Sequence, residues 1–301
     1  MNWPRAKTIL IISFLLLDLY LAWHLFWLPR DQQAYTLTEA ELTELRNIAQ
    51  HFGVELVATP EPLKVAASPA LMITQVSLDE TAAWDLARPW LGNAADADVT
   101  IRQQGATWEF QVGSQLVTVG TDEYFAYHEV SWQDESLTPA QQTADQVAAV
   151  AAARAFLAVH LGEQAAEAYQ PVLVLEDEAS QCYLVELVRM VQDLPVFVDA
   201  YRCWVNNQQV LRLVGRQAEL NSVSEEALAV VGADLAVKRY LAGLSEPLDQ
   251  PVSILDLRLG YGLVPAKPGQ LQPVWRFYTN DPSAPEFTLP AGQWSWEAES
   301  R

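Results

Sequence analysis

Twenty residues, Ile9 to Leu28, constrain what this chain can become more than any other stretch. Only Ser13, Asp18, Tyr20 and His24 interrupt the apolar run, and a helix of that length spans roughly 30 Å, the thickness of a bilayer core. Asp18 costs about +3 kcal/mol at a helix centre, whereas the thirteen Leu, Ile and Phe of the run return roughly −6 kcal/mol at about −0.45 each. Insertion is therefore favoured. A cleaved secretory signal needs small residues in an A-x-A arrangement at its exit, but the exit here reads Trp23-His24-Leu25-Phe26-Trp27, so the segment is expected to stay. Arg5 and Lys7 precede it without an acid, and Asp31 follows Arg30 at once. The positive-inside bias then predicts a cytoplasmic N-terminus over 1–8, an anchor over 9–28 and an extracellular remainder, making a single-pass protein of the cell membrane.

An ionisable side chain facing lipid is penalised, so Asp18 is expected to turn toward another protein segment. Its neighbours on the helix surface are Ile11, Phe14, Leu15, Ala22 and Leu25, with Ala22 small enough for a second helix to come close. That stripe is the candidate transmembrane interaction face. The plainer reading is an Asp that is protonated or snorkels and meets no partner.

The chain has 301 residues, with 18 Lys and Arg against 38 Asp and Glu, for a formal charge of −20. Beyond residue 30 the counts are fifteen and thirty-seven. Such a body repels phosphate backbones and anionic lipid, which excludes nucleic acid as a partner. Half the residues are hydrophobic and 19% are charged, which excludes a disordered tail. The length suggests two folded units.

Thr38 with Glu41 makes a capping box ahead of Leu42, Leu45, Ile48 and Ala49, predicting a helix over 38–52 stopped by Gly53. A second helix is expected from Asp79 to Leu91 despite Pro89. Four strands follow near 98–103, 107–112, 115–119 and 125–131, punctuated by Gly105, Gly113 and Gly120. Thr138-Pro139 reads as the start of a long Ala-rich helix ending at Gly162. Strands are expected near 171–176, 182–191, 196–205 and 209–215, then a helix from Ser224 to Leu241 capped by Ser222 with Glu225. Strands near 252–262, 272–279, 286–289 and 293–297 close the chain. The fold class is α+β, with an ectodomain of two units, 31–136 and 137–301, built from antiparallel sheets and packed helices.

His24, His51, His128 and His160 lack metal-ligand spacing, and no P-loop, G-x-S-x-G or G-x-G-x-x-G occurs. No metal, cofactor or enzyme activity is expected. Cys182 and Cys203 are the only cysteines. A two-residue turn at Gln192-Asp193 would set them opposite each other and open a cross-strand disulfide; two buried thiols packed as small hydrophobes is the alternative.

The opening Asn2-Trp3-Pro4-Arg5-Ala6-Lys7-Thr8-Ile9, running into Phe14-Leu15-Leu16-Leu17-Asp18-Leu19, resembles the N-terminus of the YycI family of membrane-anchored regulators in Gram-positive bacteria. Gly260-Tyr261, Pro273-Val274-Trp275-Arg276 and Ala291-Gly292 are similar to its last segment. Leu194-Pro195-Val196-Phe197 resembles the Gly-Ile-Pro-Val-Phe hairpin of YycI, YycH and PepSY-type modules. Leu194 replaces the expected Gly and Pro290 the expected Asn, so both turns should be built differently here, and over 31–136 only the order of elements agrees. The resemblance implies a PepSY-like ectodomain without an active site. It further implies membrane-helix contacts with the sensor histidine kinase WalK (YycG) and a YycH-like protein, through which the kinase output is adjusted. The competing expectation is a PepSY-like extracytoplasmic module that binds peptide or restrains a peptidase, with the anchor as a simple tether.

Overall fold

Thr38 starts the first helix as the capping-box spacing predicts. In the computed structural model its Oγ1 accepts the Glu41 amide at 3.3 Å, the Glu41 carboxylate accepts the Thr38 amide at 2.8 Å, and α1 (Glu39–His51) follows. The structure describes residues 37–60, 67–91, 99–122, 125–132, 145–177, 182–206, 209–244, 246–248, 250–265, 267, 269–281 and 284–292. The expected anchor, with Asp18 and its stripe, and the expected strand 293–297 lie outside them. Among the described residues no helix is long and apolar enough to cross a membrane.

After α1 come β1 (Val54–Leu56), β2 (Ala67–Ile73), α2 (Glu80–Leu91) and a meander of β3 (Thr100–Gln104), β4 (Thr107–Val112), β5 (Gln115–Asp122) and β6 (Phe125–Trp132). Then follow α3 (Gln146–Leu161), the one-turn α4 (Glu163–Ala166) and a second meander of β7 (Tyr169–Asp177), β8 (Cys182–Val191), β9 (Leu194–Asn206) and β10 (Gln209–Ala218). The chain continues through β11 (Leu220–Ala229), α5 (Ala233–Gly243), β12 (Val252–Leu263), β13 (Gln270–Thr279) and β14 (Glu286–Pro290). The class is α+β, with a mostly antiparallel sheet and few helices.

The main path of the sheet runs β11-β2-β13-β12-β9-β10-β6-β5-β4-β3, with β14 on β13, β8 on β9, β7 on β8 and β1 on β12. Parallel pairing occurs where β12 meets β1 and where Tyr261 meets Val196 of β9. The long β9 joins the two regions, because its start touches β12 and its end pairs with β10. The two largest buried clusters follow from this. One gathers α1, β1, β2, α5, β12 and β13 around Tyr261, Trp275 and Phe277; the other gathers α2, α3 and strands β4 to β10 around Trp90, Phe110, Leu157 and Tyr201. The first core thus draws residues of 37–73 and 194–198 together with residues of 218–291, while the second draws on residues of 78–213.

Two helix starts differ from the sequence reading. The Ser222-to-Glu225 spacing looks like a capping box but lies within β11, whose residues pair with β2 from Leu220↔Ile73 to Ala229↔Ala67. The register breaks between Val223 and Ala227, where Ser224 Oγ accepts the Glu226 amide at 3.2 Å, and the helix begins only at Ala233. Likewise α3 starts after Asp145, which is extended and whose Oδ1 accepts the Ala148 amide at 2.7 Å; Thr138 and Pro139 lie outside the described residues. Gly162 ends α3 as expected.

Candidate functional site

The hairpin joining β8 to β9 turns through Gln192 and Asp193, both left-handed at φ 51 and 63, the two-residue turn the sequence suggests. Leu194 enters β9 beyond it, so this turn is built without a glycine. Val191↔Leu194 and Met190↔Pro195 keep the register that the turn sets. The next pair is Val188↔Ala200, so β9 has advanced three residues more than β8. An odd shift exchanges the faces of a strand. Cys203 consequently sits opposite Val185, while Cys182 pairs with Asp177 and points to the other face of β8. Of the two readings left open, the structure has the pair of buried thiols: Cys182 and Cys203 are not bridged. Burial pushes the Cys203 thiol up to about 12. Alkylation of the native chain should leave Cys203 unlabelled, and alkylation in denaturant without reductant should label both thiols by mass; a mass two hydrogens short and unlabelled would restore the bridge.

The same irregularity in β9 assembles a site that the sequence keeps apart. Val196 lies beside Tyr261, Gly260 faces Val274, and Tyr261 faces Pro273, so the stretches 194–197, 260–261 and 273–276 converge. Gly260 is required there: a Cβ on it would stand 2.5 Å from both Phe197 Cζ and the Pro195 carbonyl. The Phe197 ring fills that space, and the Arg276 guanidinium lies over it at 4.1 Å from the centroid.

Arg276 is fully buried, and its charge is met from three strands. Its Nη1 is 2.6 Å from Glu186 Oε2 and 3.8 Å from Glu286 Oε1, and its Nη2 is 4.0 Å from Asp256 Oδ2. Glu186, also 0% exposed, faces Arg202 across the β8–β9 pair and accepts its Nε at 3.0 Å. Arg202 also pairs with Glu286, and Arg258 Nη2 lies 3.4 Å from Asp256 Oδ1. Arg258 stands directly opposite Arg276 on β12 and β13, a like-charge pairing that the carboxylates offset. Burial by itself would lower the Arg202 pKa; Glu186 and Glu286 override it and hold the guanidinium firmly charged. None of the three Arg276 nitrogens has a hydrogen bond of good geometry among the described residues, so the contacts are ion pairs rather than a fork. Three arginines and three carboxylates balance. The cluster therefore offers a free ion no net charge and acts as a clamp between β8–β9 and β12–β13–β14.

A second polar group lies inside the other core. Tyr169 Oη donates to Asp199 Oδ1 at 2.8 Å, Arg189 Nη1 donates to Oδ2 at 3.3 Å, and Gln217 Nε2 donates to Tyr201 Oη. Burial raises the Asp199 pKa, and the Tyr169 and Arg189 contacts work against that rise. His128 stacks on Trp90 at 4.8 Å and lies beside Tyr201 at 5.6 Å. Both rings fold over Gly215, where a Cβ would stand 2.4 Å from His128 Cε1. Burial lowers the His128 pKa to about 3, and neither ring nitrogen has a partner among the described residues. Among those residues no group of three or more His, Cys, Asp or Glu is placed to hold a metal ion.

No family model matches the chain, and no curated protein does. Among solved structures the chain is similar to an uncharacterized protein from Eubacterium rectale, with a TM-score of 0.45 and 9% identity, covering 84% of this chain and 94% of that one.

Proposed function

We propose that the chain is a membrane-anchored extracytoplasmic regulator that modulates a WalK (YycG)-type sensor histidine kinase through contacts of its membrane helix, together with a YycH-like protein. The observation that carries this reading is Asp18, an ionisable residue kept inside a run otherwise built from strong inserters. Its face, with Ile11, Phe14, Leu15, Ala22 and Leu25, meets the partner helices. The convergence of Pro195, Gly260 and Trp275-Arg276 around one clamp supports the reading, because these are residues through which the sequence resembles YycI. Asp18→Leu should abolish co-purification of the kinase with the full chain and shift the kinase-dependent transcripts. Unchanged association and unchanged transcripts would remove Asp18 from the mechanism.

The same hairpin, Leu194 to Phe197, is the feature that favours the PepSY-like alternative, in which the body binds peptide or restrains a peptidase and the anchor only tethers it. Exchanging residues 9–28 for an unrelated single-pass helix separates the two. Regulation retained after the exchange favours the body; regulation lost favours the membrane helix.

A further inference from the structure

The helix α3 is apolar on its outside as well as its inside. Ala149, Ala153 and Leu157 face the core at 0% exposure, yet Val147 and Val159 stand outward at 77% and 80%, the most exposed large hydrophobic residues among those described. Ala151 and Ala155 are exposed between them. Arg154 is the only Asp, Glu, Lys or Arg in the helix, and it reaches sideways, its Nη2 donating to Gln170 Oε1 at 2.8 Å. A surface helix normally turns charges to water; one that is apolar all round is covered on both sides.

We propose that a second copy of this chain covers it, with the two α3 helices antiparallel about a two-fold axis passing beside residue 153. Val147, Ala151, Ala155 and Val159 follow one another at intervals of four, forming a single ridge on the outer surface. The ridge reads the same in both directions: bulky at the ends, small in the middle. Antiparallel pairing brings Val147 against Val159 of the partner subunit and Ala151 against Ala155 of the partner subunit, so the small residues meet at the axis where backbones come closest.

Charge selects this face for self-contact. A chain of formal charge −20 repels its own copy over most of its surface, but α3 contains no carboxylate along its sixteen residues. The antiparallel alignment sets the positive end of each helix dipole beside the negative end of the other. Glu163, just past α3, stands at the rim, where salt screens it. One pair of sixteen-residue helices, each about 24 Å long, covers less than the roughly 1,600 Å² of a standard interface, so the contact belongs to the weak, reversible class. Raising ionic strength strengthens it, opposite to an interface held by ion pairs.

The test is thiol crosslinking of the full chain in cells. Val147→Cys and Val159→Cys copies, carrying different tags, are co-expressed and oxidised with copper phenanthroline; Cys182 and Cys203 are buried and stay silent. The expected result is a mixed-tag dimer at least about fivefold more abundant than either like-tag dimer. Its yield should rise with salt in isolated membranes. Adding Ala151→Glu and Ala155→Glu to both copies should abolish the dimer while leaving the thermal midpoint within about 2 °C, since both positions are exposed. Equal or stronger Val147→Cys to Val147→Cys linkage, an adduct with a protein of another mass, or no dimer at any salt overturns the proposal.

Discussion

Arg276→Met should destabilise the body by about 3–5 kcal/mol, the cost of leaving a buried carboxylate without its closest counter-charge. Glu186 has no access to water, and its Oε2 would lose the guanidinium 2.6 Å away. Arg202 remains on Oε1, but its side chain is 30% exposed and shared with Glu286, so it cannot neutralise both acids alone. A loss of that size in a body this long lowers the thermal midpoint by roughly 10 °C. The double variant Glu186→Met with Arg276→Met decides whether the loss comes from the unpaired charge. It removes one acid and one base together and leaves Arg202 with Glu286 and Arg258 with Asp256, two neutral pairs. Its stability should return to within about 1–2 kcal/mol of the native chain, because apolar residues of similar size commonly replace a buried ion pair at little cost. Denaturant midpoints of the native chain, both single variants and the double variant give the coupling directly. Additive losses in the double variant, or an Arg276→Met chain as stable as native, would contradict a clamp held by compensated charge.

Why the clamp escaped sequence reading is plain from its members. Glu186 sits in Leu184-Val185-Glu186-Leu187-Val188 and Arg276 in Val274-Trp275-Arg276-Phe277-Tyr278, each a charge flanked on both sides by residues ready for burial. That was the available signal. Pairing them across ninety residues of chain required knowing that β9 shifts by three residues between Pro195 and Ala200, and a register irregularity has no signature in composition. The same shift defeated the geometric case for Cys182 opposite Cys203, although the turn on which that case rested is the one observed. Local chemistry was legible elsewhere. The Thr38–Glu41 box, the glycine turns at Gly105 and Gly113 with φ 62 and 59, and the strands around them appear where their residues predict. The failures fall where tertiary pairing overrides a local signal: the Ser222–Glu225 spacing is absorbed into an edge strand because β2 supplies it with hydrogen-bond partners. β2 itself, Ala-Ser-Pro-Ala-Leu-Met-Ile, carries no period strong enough to announce a strand.

Acid should unfold this body well before its carboxylates account for the loss, and His128 is the reason. The side chain is 1% exposed, stacked on Trp90, with a pKa lowered by burial to about 3 from 6.5. Below pH 6.5 the unfolded chain takes up a proton at this histidine while the folded chain refuses it down to about pH 3. The unfolded state therefore binds more protons throughout that window, so stability falls as pH falls, by about 1.4 kcal/mol per unit and about 5 kcal/mol across it. Above pH 6.5 the histidine contributes no slope. Asp199 acts in the opposite sense, because its raised pKa lets the folded state accept a proton before the unfolded state does, and so it softens the acid loss at the low end. His128→Phe removes the proton site and keeps an aromatic ring between Trp90 and Tyr201, though the larger ring presses on Gly215 and costs some stability at every pH. The difference in unfolding free energy between pH 7 and pH 4.5 is therefore the measurement that matters, not the value at either pH. It should shrink by about 2–3 kcal/mol in the variant. Parallel pH profiles for the native chain and His128→Phe would show that the imidazole is hydrated or protonated in the folded state, contrary to its burial against Trp90.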